Sequence, residues 1–272
     1  MKKWAAGEKN AMDLRQHSTI CKGCWQNLHL PVVLRGPLAI PFRVLGLRPS
    51  RMNPNTCTFC ELAFTRIMKA RNVTIDATVL FADLRGYTAA SQSVTSREMS
   101  TTLDAFYDEC AEAIWQHDGL LNKTIGDAIM AVFNFPIRQE GHAAQAVQAA
   151  RQMQQRWRGR HADLVSGLGL DEGSLSIGIS SGDVSFGEFG HSHRDLTAIG
   201  TVVNTAARAQ SAARGGQILV TKSVRDRCPK GIVQSEGTRY SLKGLGAPIE
   251  LYDAGTLEGL ASDPVKSYPD GP

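Results

Sequence analysis

The chain has no uninterrupted apolar run long enough to cross a bilayer. Its longest apolar stretch, 30–47, is broken by Pro31, Arg35, Pro37, Pro41 and Arg43, whereas a span needs about 20 mostly apolar residues. The basic start, MKKWAAGEKN, lacks the apolar segment of a secretory signal. Six cysteines in 272 residues are too few for a disulfide scaffold, and neither an internal repeat nor a low-complexity tract is visible. With 42% hydrophobic residues the chain can bury a sizeable core, which excludes disorder. These absences predict a soluble, cytoplasmic protein with reduced thiols. Acidic residues are scarce in one place. Residues 1–72 hold 12 Lys+Arg against 3 Asp+Glu, a net of +9, and the other 200 hold 18 against 23, a net of −5, giving +4 in all. Such a basic arm either meets nucleic acid, anionic lipid or an acidic partner, or folds back on the acidic body.

The first 60 residues carry proline, arginine and two cysteine pairs with little periodicity. A helix is expected over 61–71 and a strand over 74–82, with a boundary near Asn72. Beyond it, strands and helices alternate. Thr95-Ser96-Arg97-Glu98 has capping-box spacing, followed by Met99, Leu103, Phe106, Cys110 and Ile114 at helical intervals; Cys110 therefore reads as core. Strands over 120–125 and 128–133 flank a Gly126-Asp127 hairpin turn. A helix follows over 141–157, a strand pair over 175–179 and 184–189, a helix over 201–213 and a strand over 217–220. Short strands continue to about Asp253, and 255–272 reads as a flexible tail. The order predicts an α+β fold with helices over one face of a mostly antiparallel sheet.

Two segments carry chemistry. In Val79-Leu80-Phe81-Ala82-Asp83-Leu84-Arg85-Gly86-Tyr87-Thr88 an apolar strand delivers a carboxylate at its end. In Lys123-Thr124-Ile125-Gly126-Asp127-Ala128-Ile129-Met130, Asp127 sits on a tight turn between apolar strands. Either aspartate alone reads as a turn former. Two at the ends of adjacent core strands repel each other unless a cation lies between them, an arrangement that suits Mg²⁺.

Together with Asp195-Leu196-Thr197-Ala198-Ile199-Gly200-Thr201-Val202-Val203-Asn204-Thr205-Ala206-Ala207-Arg208, these segments resemble the catalytic domain of class III nucleotidyl cyclases over about residues 73–253. The resemblance implies a ferredoxin-like βαββαβ core and a head-to-tail homodimer with active sites at its interface. It divides the chain into an arm (1–72), a catalytic domain (73–254) and the tail. It implies that Asp83 and Asp127, with the Leu84 carbonyl, hold two Mg²⁺ or Mn²⁺ ions. It assigns Asn204 and Arg208 of the partner subunit to the ribose and to charge on the pentavalent phosphorus, and Lys243 and Arg194 to the triphosphate. Lys123 and Thr197 fall where the family reads the purine edge. Lysine donates and a threonine hydroxyl can accept, a pattern that fits adenine, with its N1 acceptor and N6 donor. ATP is therefore the expected substrate and cyclic AMP the product. Guanylate cyclases usually carry an acidic residue at the first position. Thr201 departs from the acidic or amide residue usual there, and its hydroxyl could still cap the helix.

Cys21-Lys22-Gly23-Cys24 and Cys57-Thr58-Phe59-Cys60 are two CxxC pairs 32 residues apart, which point to a four-thiolate metal site. Zn²⁺ comes first, an iron–sulfur cluster second and a redox dithiol third. Trp25 and Phe59 are expected to pack around that site. Cys228, before Pro229, implies nothing, and His191 and His193 read as loop residues. Competing readings are a guanylate cyclase, a catalytically silent nucleotide-binding module and a nucleic-acid-binding arm on a cyclase-like dimeriser. Competent residues at the key positions disfavour the silent module. The absence of the aromatic and repeat signatures of nucleic-acid modules disfavours the last.

Overall fold

Residues 17–70, 72–90, 94–160, 174–189, 195–244 and 246–255 are described by a computed structural model. The expected tail from 256 onward, Arg194, His191 and His193 lie outside them. The arm contains α1 (Lys22–Leu28), a 3₁₀ turn (Pro37–Ala39), α2 (Ile40–Val44) and α3 (Thr58–Ala70). The body follows as β1 (Val73–Leu84), α4 (Tyr87–Ala90), α5 (Ser96–Gln116), β2 (Leu120–Ile125), β3 (Ala128–Phe133), α6 (His142–Arg160) and β4 (Leu175–Phe189). It continues through β5 (Asp195–Ile199), α7 (Thr201–Ala212), β6 (Ile218–Thr221), α8 (Lys222–Arg227), β7 (Thr238–Tyr240) and β8 (Ile249–Asp253). The strands form one sheet in the order β2-β3-β1-β4-β6-β8-β7, with β5 also on β4. Within it β4-β1-β3-β2 run antiparallel, and the elements β1, α5, β2, β3, α6 and β4 make the βαββαβ core.

Two expectations about the sheet are corrected. Residues 175–189 form one strand, not a pair, because β1 runs antiparallel beside it in unbroken register from Val73↔Phe186 to Leu84↔Leu175. Ser181, between the two expected strands, is satisfied within the sheet: the Thr78 hydroxyl donates to Ser181 Oγ (2.9 Å), which donates to the Ala77 carbonyl (3.3 Å). Helices also cover both faces, not one. Leu80, Ala82 and Leu84 of β1 pack with Phe106 and Ile114 of α5 and Trp157 of α6. Ala77 and Val79 point the other way, against Met68 of α3 and Ala206 of α7. A strand apolar on both sides needs cover on both sides.

Local chemistry sets the helices in place. Thr95 and Glu98 complete the capping box of α5, Thr95 Oγ1 accepting from the Glu98 amide and the Glu98 carboxylate from the Thr95 amide. Phe106 and Trp157 meet edge to face at 5.8 Å. Helix α7 lies directly on β4 because Gly178 has no side chain; a Cβ there would stand 2.1 Å from the Gln210 nitrogen and 2.3 Å from the Ala206 oxygen. Gly200 occupies the N-cap of α7 and makes no side-chain cap, so the expected Thr201 cap does not form.

The arm rests on the body at the α5–β2 junction. Asn53 Nδ2 donates to the Gly119 carbonyl (2.8 Å), and Asn55 Nδ2 to the Trp115 carbonyl (2.8 Å) and to Asp118 Oδ1 (2.7 Å). Trp115 Nε1 returns a bond to the Met52 carbonyl (2.9 Å). Lys22 pairs with Asp118, and His17 with Glu112 at 3.2 Å. The basic arm therefore folds back on the body. Helix α3 begins at Thr58, three residues earlier than its periodicity indicates, which brings Cys60 into its first turn. Trp25 and Phe59, expected around the cysteines, are about half exposed and are not among the buried residues of that cluster. The pocket is closed instead by Val32 and Leu34, with Phe42, Leu47 and Phe64 against them. No helix among the described residues is long and apolar enough to cross a membrane.

Candidate active site

Asp83 ends the apolar part of β1 and is paired across the sheet with Ala128. Asp127 therefore stands beside it, in the two-residue turn that joins β2 to β3. Only the first turn residue, Gly126, has positive φ (61°), as a hairpin turn opened by glycine requires. The Leu84 amide donates to the Asp127 carbonyl (3.1 Å), clipping the two acid-bearing segments together. Tyr107 of α5 donates to the Gly126 carbonyl and holds the turn from the other side. Burial first, and repulsion from Asp127 second, push the Asp83 carboxyl up to about 6, against the opposing pull of Arg85. Two adjoining carboxylates, one of them half-buried and strained by like charge, fit a divalent cation with a preference for oxygen ligands.

The strands that carry the two purine-edge candidates, β2 and β5, are joined through the residue next to Lys123. Asn122, at the bulge between Leu121 and Lys123, links them. Its Nδ2 donates to the Leu196 carbonyl (2.9 Å), which fixes the orientation of the amide, so that its Oδ1 accepts from the Thr197 hydroxyl (3.3 Å). The threonine proton is shared between Asn122 Oδ1 and the Ala198 carbonyl (3.4 Å), and its lone pairs are left to accept.

Asn204 and Arg208 lie one turn apart on the exposed face of α7, while Ala206, Ala209 and Gln210 face the sheet. Their side chains have no hydrogen-bond or ion-pair partner among the described residues. Within one protomer they are not gathered with the aspartates. Lys243 is exposed on the turn after β7, before Gly244 (φ 81°), and the neighbouring Leu242 anchors that turn against Ala209 and Ala213.

Residue-by-residue reading missed Arg85. Its Nε donates to Ser176 Oγ (3.1 Å) and its Nη2 to the carbonyls of Gln210 (3.2 Å), Ser211 and Ala213 (2.6 Å). A cation on the last carbonyls of α7 satisfies the orphan acceptors and the negative end of the helix dipole. It thus ties the helix bearing Asn204 and Arg208 to the strand bearing Asp83. The signal was present, since Arg85 lies two residues past Asp83, but its partners are more than ninety residues away. Asn122, next to Lys123, was missed for the same reason.

Against this geometry, the sequence profile described as "Adenylate and Guanylate cyclase catalytic domain" matches residues 70–253. The chain belongs to that family. An adenylate cyclase of Anabaena cylindrica is 33% identical over 185 residues, which are 65% of this chain and 36% of that protein. Adenylate cyclase 1 of Rhizobium meliloti is 26% identical over 196 residues, 66% and 29% of the two chains. The match thus spans about a third of the length of these relatives. Among solved structures, the guanylyl cyclase Cya2 superposes with a TM-score of 0.60 at 28% identity, over 70% of this chain and 96% of that one. The adenylyl cyclase CyaB of P. aeruginosa gives 0.62 at 24%, over 70% and 98%, and shows the shared fold.

The arm brings its four cysteines together in a second buried cluster. Burial pushes the Cys24 thiol up to about 12, and hydrogen bonding to Cys21 pushes Cys60 well up too, whereas the hydrogen bond from Cys21 pulls Cys57 down to about 2.

Proposed function

We propose that the chain is an adenylate cyclase that converts ATP to 3′,5′-cyclic AMP and pyrophosphate at the interface of a homodimer. The observation that carries the choice of base is the Asn122–Thr197 hydrogen bond beside Lys123. With its proton given to Asn122, the Thr197 oxygen accepts from adenine N6, and the Lys123 ammonium donates to adenine N1. Guanine presents the opposite pattern at these atoms and leaves buried polar groups unpaired. The name of the Anabaena relative agrees with this reading.

In the mechanism that we propose, Asp83 and Asp127, assisted by the Leu84 carbonyl, would hold two Mg²⁺ or Mn²⁺ ions. Bound there, such ions lower the pKa of the ribose 3′-hydroxyl and neutralise the triphosphate. Asn204 from the opposite protomer orients the ribose so that the 3′-oxygen faces the α-phosphorus in line with the departing pyrophosphate. Arg208 beside it compensates charge on the pentavalent phosphorus. Lys243 and Arg194 bind the triphosphate. The exposed, unpartnered face of α7 supports a role completed only by a second copy.

Steady-state turnover of the purified full chain with ATP and GTP, with Mn²⁺ and with Mg²⁺, tests the proposal. ATP should be preferred, and Asn122→Leu should erode the preference by about tenfold, the worth of one hydrogen bond. A preference for GTP would identify a guanylate cyclase, and no turnover with either nucleotide would identify a silent module.

A further inference from the structure

We infer that Cys21, Cys24, Cys57 and Cys60 bind a single zinc ion, which serves as the folding core of the arm and fixes it to the body. The four Sγ atoms lie within 4.8 Å of one another and all four residues are buried. The Sγ–Sγ separations include 3.7 Å for Cys21–Cys60, 3.5 Å for Cys24–Cys57 and 3.4 Å for Cys24–Cys60. A tetrahedron with Zn–S arms of about 2.3 Å has edges of about 3.8 Å. In an iron–sulfur cluster the four thiolates are divided among two or four irons, and those on different irons are held apart by the inorganic core; here no Sγ pair is separated by more than 4.8 Å, which leaves room for one ion. Among single divalent ions, zinc binds such a site more tightly than iron.

The surroundings are those of a metal site rather than of four packed thiols. Cys21 Sγ accepts from the backbone amides of Cys24 (3.3 Å) and Cys57 (3.2 Å), the outer bonds that orient thiolate ligands. Position 23 calls for glycine, since a Cβ there would stand 2.9 Å from Cys60 Sγ and displace it. The arm also has little else to fold around. Its core is the four cysteines with Val32 and Leu34, while Leu38, Ile40, Val44 and Leu45 stand 62–82% exposed. A segment of this size with so small a core needs a staple. The ion would act at two points on the body. Cys57 and Cys60 lie at the start of α3, which leads into β1 and Asp83. Asn53 and Asn55, just before Cys57, grip the Trp115–Gly119 turn that opens β2 and leads to Lys123.

The experiment is elemental analysis of the full chain, purified under reducing conditions without added metal. One zinc per chain is expected; iron with acid-labile sulfide, or no metal, would overturn the inference. Zinc stripped by a chelator and replaced by Co²⁺ should give the intense visible bands of tetrahedral cobalt–thiolate at one equivalent, and their absence would count against it equally. Cys60→Ser should lose the stoichiometric ion. Should that variant fail to fold, Gly23→Ala, which displaces one ligand without removing it, should weaken zinc affinity at least tenfold; unchanged affinity would refute the geometry. These readouts involve no nucleotide, so they stand or fall separately from the cyclase reading.

Discussion

Asp83 occupies a position that folding alone disfavours. Its carboxyl is raised from 3.8 to about 6 by burial and by Asp127, so the folded state binds a proton more tightly than the unfolded chain. The stability this gives is complete below the unfolded value and is lost as pH rises to about 6; at neutral pH the ionised side chain weakens the fold. Asp83→Asn should therefore raise Tm by roughly 2–4 °C at pH 7.5 with divalent ions chelated, while cyclase turnover falls by about a hundredfold or more. A variant both less stable and inactive would assign Asp83 a structural role. His142 makes the opposite case. Its Nδ1 donates to Thr78 Oγ1 (2.7 Å), which already gives its own proton to Ser181, and its Nε2 faces Arg227 Nη1 at 3.4 Å. Burial holds its pKa below 6.5, with Arg227 adding to the effect and Asp76 opposing it. Its contribution is present above pH 6.5 and lost as pH falls through the lower folded value. His142→Gln should flatten the acid limb of a Tm–pH curve between pH 5 and 7; an unchanged limb would mean that the imidazole charges freely.

At the scale of elements, the relation between β1 and α7 matters most. Gly178 lets the helix lie on the sheet, and Arg85 fastens its carboxyl end. Arg85→Ala should leave the fold intact yet loosen the helix that presents Asn204 and Arg208. The expected result is a kcat reduced roughly tenfold with KM for ATP little changed, about the worth of one or two charge-assisted hydrogen bonds. Lysine should not restore it, since one ammonium cannot span the Ser176 hydroxyl and three carbonyls as a planar guanidinium does. A loss confined to KM would place Arg85 at the nucleotide instead.

At the scale of the molecule, the proposed mechanism divides the site into two halves on each protomer: the aspartates with Lys123 and Thr197, and the exposed face of α7. If two copies complete each other head to tail, Asp83→Ala and Arg208→Ala should each be inactive alone and regain activity when mixed. Half the chains then sit in mixed dimers with one intact site of two, so about a quarter of wild-type turnover is expected. No recovery on mixing would place all the groups in one subunit. Specific activity should also fall on dilution as dimers dissociate.

Periodicity and turn chemistry, which depend on neighbours a few residues apart, made much of the chain legible in advance. The hairpin around Gly126-Asp127, the capping box at Thr95 and the apolar face of α5 all appear where their local patterns place them. The two-carboxylate strand ends and the paired cysteines were readable for the same reason, because residue type and short spacing carry their chemistry. Tertiary structure alone decided what depends on distant partners. It covered both faces of β1, ran β4 unbroken through Ser181 and Gly182, seated Arg85 on the end of a helix 125 residues away, and turned the Thr197 hydroxyl toward Asn122. It also closed four cysteines from two separate segments into one pocket, since sequence can name ligands but only the folded chain can set the distances between them.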